Sequence, residues 1–190
     1  MIQSNKKIIL GSKSPRRQEL LAGIGIEFTI RTKDTDESYP KDLNPIEVPV
    51  YIAKNKANAL IEDLAEDEII ICADTVVIVD NIILGKPLDE KDAIEMLQRL
   101  SGKAHSVTTG VVIASNLKTI SFSTTTEVTF KDLSDEEIQY YVSNYKPFDK
   151  AGSYGIQEWI GFIGVTSLKG SYFNVVGLPI HEVYQHLNNF

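Results

Sequence analysis

Apolar positions in this chain follow two rhythms: short β-branched and aliphatic runs that stop at turn residues, and longer stretches in which apolar residues recur every three or four positions. Ile8, Ile9 and Leu10 form the first run and predict a strand ending at Gly11, where the missing side chain permits a sharp corner. Ser14 suits an N-cap and Pro15 the first helical position, whose N–H has no intrahelical partner, so a helix begins there. A strand is predicted near Glu27 to Thr32, followed by the acidic segment KDTDESYPKDLNP, whose Pro and Asn content resists regular structure. From about Val48 to Leu64, Ile52, Ala53, Ala57, Leu60, Ile61 and Leu64 keep helical spacing. Lys56 lies outside that apolar set and is placed to reach inward past Ala57.

The centre, EIIICADTVVIVDNIILGKP, has two apolar runs flanking Ala73, Asp74 and Thr75, then a hairpin turn at Asp80-Asn81 and a stop at Gly85-Lys86-Pro87. Asp89 opens a helix to about Leu100 with Ala93, Ile94, Leu97 and Leu100 inward. His105 to Ala114 and Thr119 to Phe130 predict two long antiparallel strands joined near Ser115-Asn116, and Ser134 with Glu137 forms a capping box for a helix ending near Asn144. A strand over Trp159 to Leu168, a loop over Lys169 to Val176 and a helix over Pro179 to Leu187 close the chain. Strand and helix patterns alternate without a Gly/Ser linker, a low-complexity tract or a repeat, which predicts one α/β domain over residues 1–190.

Composition narrows the function. The 190 residues are enough for one substantial core, and a formal net charge of −7 argues against general affinity for nucleic acid or anionic membranes. Any phosphate site must be a local basic concentration. Cys72 is the only cysteine, which excludes an internal disulfide framework and a cysteine-based zinc site and fits a reducing compartment. No membrane-length apolar segment or leader-like pattern stands out, so a cytoplasmic protein is expected.

The candidate chemistry gathers at four places. A helix N-terminus favours anions, and Arg16 and Arg17 add full charges there, a candidate triphosphate clamp or simply a solvated first turn. Asp74 interrupts a strongly apolar strand, so it is either bonded internally or exposed at the edge of a site. In a site it would act as general base toward water or hold a divalent ion, with the Thr75 hydroxyl orienting the same ligand. Lys86, in a turn between Gly85 and Pro87, is either a phosphate-neutralising group or a loop lysine. PFDKAGSYGIQ has no regular period, and Gln157 within it offers the donor and acceptor that could read a pyrimidine edge, or is an ordinary loop amide. His105 reads as structural rather than catalytic.

GSKSPRRQELL, DES, AKNKA, ADTVV, LGKP, MLQRLSGKAHSVTTGV, DKAGSYGIQ and GSYFNVVGLP occur in this order along nearly the whole chain, which resembles the Maf family of nucleoside triphosphate pyrophosphatases. Arg16, Thr75 and Gln157 together resemble its dTTP/UTP branch rather than its 7-methyl-GTP branch. The resemblance implies a mixed, strongly twisted sheet flanked by helices, a deep nucleotide cleft between two lobes, and a homodimer. It implies hydrolysis of dTTP and UTP, with modified pyrimidine triphosphates a further expectation, to monophosphate and pyrophosphate with magnesium or manganese. Asp74 matches the catalytic position. Ser12, Arg16, Arg17, Lys56, Thr75, Lys86 and Gln157 fall on the substrate side, and Glu37 in DES joins Asp74 as a metal-side carboxylate.

The chain departs from the family at two points. Gly11 stands before Ser12 where the family usually has alanine, and Glu158-Trp159 follows GIQ where a glycine and a small residue are usual. An anionic Glu158 near a triphosphate would be repelled unless turned away or bound to metal. Two other readings remain at this point: a nucleotide-binding regulator of cell division with little turnover, and a pyrophosphatase for non-canonical purine triphosphates.

Overall fold

Strand β1 (Lys7–Leu10) pairs in parallel with β2 (Phe28–Ile30) on one side and with β3 (Glu68–Val79) on the other, Leu10 standing opposite Ile30 and Ile71. The computed structural model describes residues 6–190; the first five, part of the segment read as lacking a leader, lie outside the described residues. The other elements are α1 (Pro15–Gly23), α2 (Val48–Ile61), β4 (Ile82–Leu84), α3 (Glu90–Leu100), β5 (Ala104–Ala114), β6 (Thr119–Phe130), α4 (Asp135–Tyr145), α5 (Trp159–Gly164), β7 (Val165–Lys169), α6 (Tyr172–Val176) and α7 (Ile180–Asn188). The strands form a seven-stranded sheet in the order β2-β1-β3-β5-β6-β7, with β4 added antiparallel to β3 and β7 antiparallel to β6. This is the mixed α/β sheet that the sequence predicts. Among the described residues no helix is long and apolar enough to cross a membrane.

The chain divides into two compact units, one of 1–74, 109–124 and 177–190, the other of 75–108 and 125–176. In the first, side chains alternate across the sheet as a strand's period of two requires. Ile69, Ile71, Ala73, Val111 and Ile113 meet Leu21 of α1 and Ile180, Val183 and Leu187 of α7. Ile70, Cys72, Val112 and Ala114 face Ala53, Ala57 and Leu60 of α2. The alanines let α2 approach closely, and Gly110 lets it touch backbone, because a Cβ there would stand 2.2 Å from Val50 N.

In the second unit local signals work as expected. Asp80 and Asn81 take φ of 51° and 62°, as a tight right-twisting hairpin requires. Asp89 accepts the Asp92 N–H at the start of α3, and Ser134 and Glu137 complete a reciprocal capping box on α4. Three expectations need correction. The segment read as one strand, 159–168, is a helix turning into a strand, because Gly161 packs against Ile156 O, where a Cβ would lie at 2.1 Å, and its N–H bonds Glu158 O. The segment read as a loop contains α6, whose buried Asn174 donates to Val107 O and Thr126 Oγ1. Ser14 occupies the N-cap position of α1 without a side-chain cap; its own N–H instead donates to Ser12 Oγ at 3.2 Å.

Candidate active site

Pairing between β1 and β3 ends at Leu10 and Ile71, while β3 continues, so Ala73 and Asp74 project beyond the carboxyl end of the parallel pair. That is where open α/β sheets bind ligands. Asp74 shares the Cys72 face of the strand by the alternation of side chains, the face covered by α2, and Lys56 on α2 donates to Asp74 Oδ1 at 2.7 Å. The same ammonium lies 2.8 Å from Glu37 Oε1. Two carboxylates 37 positions apart therefore converge on one half-buried lysine.

Glu37 belongs to a segment without regular structure, and its neighbours form a small turn: Asp36 accepts the Ser38 N–H at 2.8 Å and the Ser38 hydroxyl at 2.6 Å. Those bonds to Ser38 hold the Asp36 carboxyl below the usual range. Arg17 spans the site from α1, its Nε donating to Gly177 O and its Nη1 to Ala73 O, each at 2.8 Å, and to Ser12 Oγ at 3.2 Å. It is thus as much a strut between loops as a charge. Burial lowers its guanidinium pKa, and the neighbouring Asp74 charge offsets only part of that. Ser12 Oγ accepts two N–H groups and keeps its own proton to donate. Arg16 is half-buried in the first turn of α1. Beneath this group Cys72 is buried, and burial pushes its thiol up to about 12, so it stays protonated and inert.

Ser12, Arg17, Glu37, Lys56 and Asp74 are thus joined in the first unit, while Thr75, Lys86 and Gln157 belong to the second. Thr75 is half-buried on β3, Lys86 is exposed in the turn after β4, and Gln157 is exposed just before α5. Glu158 is not loose in solvent beside Gln157. Its Oε1 lies 3.0 Å from the buried Lys150 ammonium, which also holds Asp149 at 2.7 Å, and its Oε2 accepts a short hydrogen bond from the Tyr141 hydroxyl. Sequence reasoning missed Lys150 and Tyr141 as a supporting pair. A signal existed for Tyr141, since Ile138, Tyr141 and Val142 form the buried face of α4 and a buried phenol seeks a partner.

Among the described residues no three His, Cys, Asp or Glu side chains cluster as a ready-made metal cage. Glu37 and Asp74 suit a different arrangement, in which a hard divalent ion takes one or two carboxylates and completes its shell with substrate phosphate and water.

The Maf family model, described as Maf-like protein, matches residues 7–190. The chain belongs to the Maf family. It is 56% identical over 182 residues to a dTTP/UTP pyrophosphatase of Phocaeicola vulgatus, covering 95% of this chain and 94% of that protein. A dTTP/UTP pyrophosphatase of Flavobacterium psychrophilum is 52% identical over 185 residues, covering 97% and 95%. Among solved structures, the Staphylococcus aureus Ham1 protein superposes with a TM-score of 0.50 at 14% identity, over 67% of this chain and 73% of that one. That likeness extends the fold class of this Maf chain beyond its sequence relatives.

Proposed function

We propose that this chain hydrolyses dTTP and UTP to the nucleoside monophosphate and pyrophosphate. The observation that carries the reading is the convergence of Glu37 and Asp74 on Lys56 beyond the end of β1, in a chain about half identical to relatives named for that activity. Breaking the α–β anhydride requires a water directed at the α-phosphorus, a proton acceptor, and compensation of charge on the phosphate oxygens. Asp74 accepts the water's proton at one carboxylate oxygen. Lys56, within hydrogen-bond reach of Asp74, holds a phosphate oxygen beside that base once substrate displaces its present ion pairs. Arg16 and Lys86 hold the outer phosphates, Arg17 fixes Ala73 and Ser12 around the reacting group, and Ser12 and Thr75 donate to substrate oxygens. Gln157 reads the base edge. Magnesium or manganese, held by Glu37 and Asp74, would neutralise charge on the triphosphate.

The net charge of −7 supports a small anionic substrate rather than nucleic acid. The same reading carries a homodimer in the cytoplasm, the dimer to be checked by light scattering. Purified protein with magnesium or manganese is offered dTTP, UTP, CTP, ITP and 7-methyl-GTP, and products are resolved by chromatography. Monophosphate and pyrophosphate from dTTP and UTP are expected. Asp74→Asn should lose about 10²- to 10⁴-fold in kcat while still binding nucleotide; parental turnover in that variant would overturn the assignment of the base. Preference for ITP would move the substrate to purines, and tight binding without turnover would favour a regulator.

A further inference from the structure

The turn carrying Gln157 is braced from behind by groups that do not belong to the proposed catalytic set. The Tyr141 hydroxyl oxygen accepts the Gly155 N–H at 3.0 Å and donates its proton to Glu158 Oε2. The Glu158 N–H closes back on Gly155 O at 3.0 Å, so both ends of the four-residue turn are tied together and to α4. Glu158 Oε1 is in turn held by Lys150, whose side chain is only 9% exposed and which also holds Asp149. Gly155 is required by the closeness of the brace, since a Cβ there would lie 2.8 Å from Glu158 Cδ. Within the turn Ile156 is buried and Gln157 exposed.

A carboxamide distinguishes one base edge from another only when its donor and acceptor are held in a fixed direction, because rotation or a shift of about 1 Å erases the difference. We propose that Glu158, clamped between Tyr141 and Lys150, is a positioning residue that aims Gln157 at the pyrimidine base and so sets base preference. This rests on the reading of the chain as a dTTP/UTP pyrophosphatase. Burial, first, and the Glu158 contact, second, both raise the Tyr141 pKa, so the phenol stays protonated and able to donate. A glycine at position 158 would provide neither partner, so the brace depends on the Glu158 side chain.

The experiment measures kcat and KM for dTTP and CTP in the parent, Gln157→Ala, Tyr141→Phe and Glu158→Gln. If the inference holds, Tyr141→Phe lowers the dTTP-to-CTP ratio of kcat/KM by about tenfold, through KM for dTTP with little change in kcat. Glu158→Gln, which can still accept from Tyr141 but no longer matches Lys150, lowers it less. A ratio that collapses in Gln157→Ala but stays at the parental value in both brace variants overturns the inference and leaves the role of Gln157 standing. A ratio unchanged in Gln157→Ala removes base reading by Gln157, and the inference with it. A purely structural brace would lower kcat equally for both nucleotides, which also overturns it. If Tyr141→Phe fails to fold, Glu158→Gln decides.

Discussion

The two units each place a lysine between two carboxylates, and the resemblance ends there. Lys56 is 17% exposed and bridges Asp74, 15% exposed, to Glu37, which is 53% exposed on an irregular segment. Its partners come from distant parts of the chain. Lys150 bridges its neighbour Asp149 to Glu158, whose second oxygen is already taken by a phenol. The first arrangement has an exposed partner and an aspartate just past the end of the β1–β3 pairing; the second is closed on itself. A lysine between carboxylates serves chemistry when one carboxylate stands exposed on an irregular segment, and serves architecture when both its neighbours are bonded elsewhere or adjacent in sequence.

Replacing each lysine with methionine tests that contrast most severely. Lys56→Met is expected to cost about 10²- to 10³-fold in kcat/KM with a small change in melting temperature, because it removes a charge that stabilises the reacting phosphate. Lys150→Met is expected to act first on stability, by about 2 kcal/mol, less than for a fully buried pair because Glu158 retains 27% exposure. Chemical denaturation and steady-state kinetics on the same preparations check both, and a reversal of the two effects would break the comparison.

A smaller effect lies under the first lysine. A methyl at position 11 would meet Cys72 Sγ at 2.3 Å, so Gly11→Ala is expected to destabilise by about 1 to 3 kcal/mol. Gly11→Ala combined with Cys72→Ala should recover most of that loss in denaturant melts. Additive losses would mean that the overlap is relieved by backbone movement instead.

The second unit also carries a titration that vanishes at neutral pH. His105 is buried against Phe130 and Tyr154, with Nε2 2.8 Å from the Tyr154 hydroxyl, and burial pushes its pKa down from 6.5 to about 4. The unfolded chain takes up a proton near 6.5 that the folded chain refuses until about 4, so stability falls as pH drops through that window. His105→Gln should flatten the parental slope between those limits and leave the pH 7 contribution of this proton unchanged. An unaltered slope would place the acid sensitivity in carboxylates such as Glu68, whose pKa is held down by its hydrogen bond to Arg31.

What the sequence made legible was local. Asp80-Asn81, Asp89 and the Ser134/Glu137 box announce their turn and caps because the partners lie within a few residues. Lys56 and Asp74 could each be singled out by pattern, a lysine at the edge of an apolar helical face and an acid inside an apolar strand. Their 2.7 Å contact depends on which sheet face α2 covers, which no short window contains. The reading of 159–168 as a strand failed for the same reason. WIGFIG has enough apolar residues for either structure, and the choice is made by Gly161 against the Ile156 backbone and by Glu158 anchored to Tyr141 and Lys150. Periodicity sees neither.

The pair formed by Gly11 and Cys72 also constrains the order in which such a sequence can have changed. If position 11 carried an alanine, a thiol arriving at position 72 would collide with the methyl, whereas loss of that methyl first would leave only a small void. One route passes through a crowded intermediate and the other through a slightly loose one. The same asymmetry runs in reverse: position 11 takes a methyl at lower cost once position 72 has given up its sulfur.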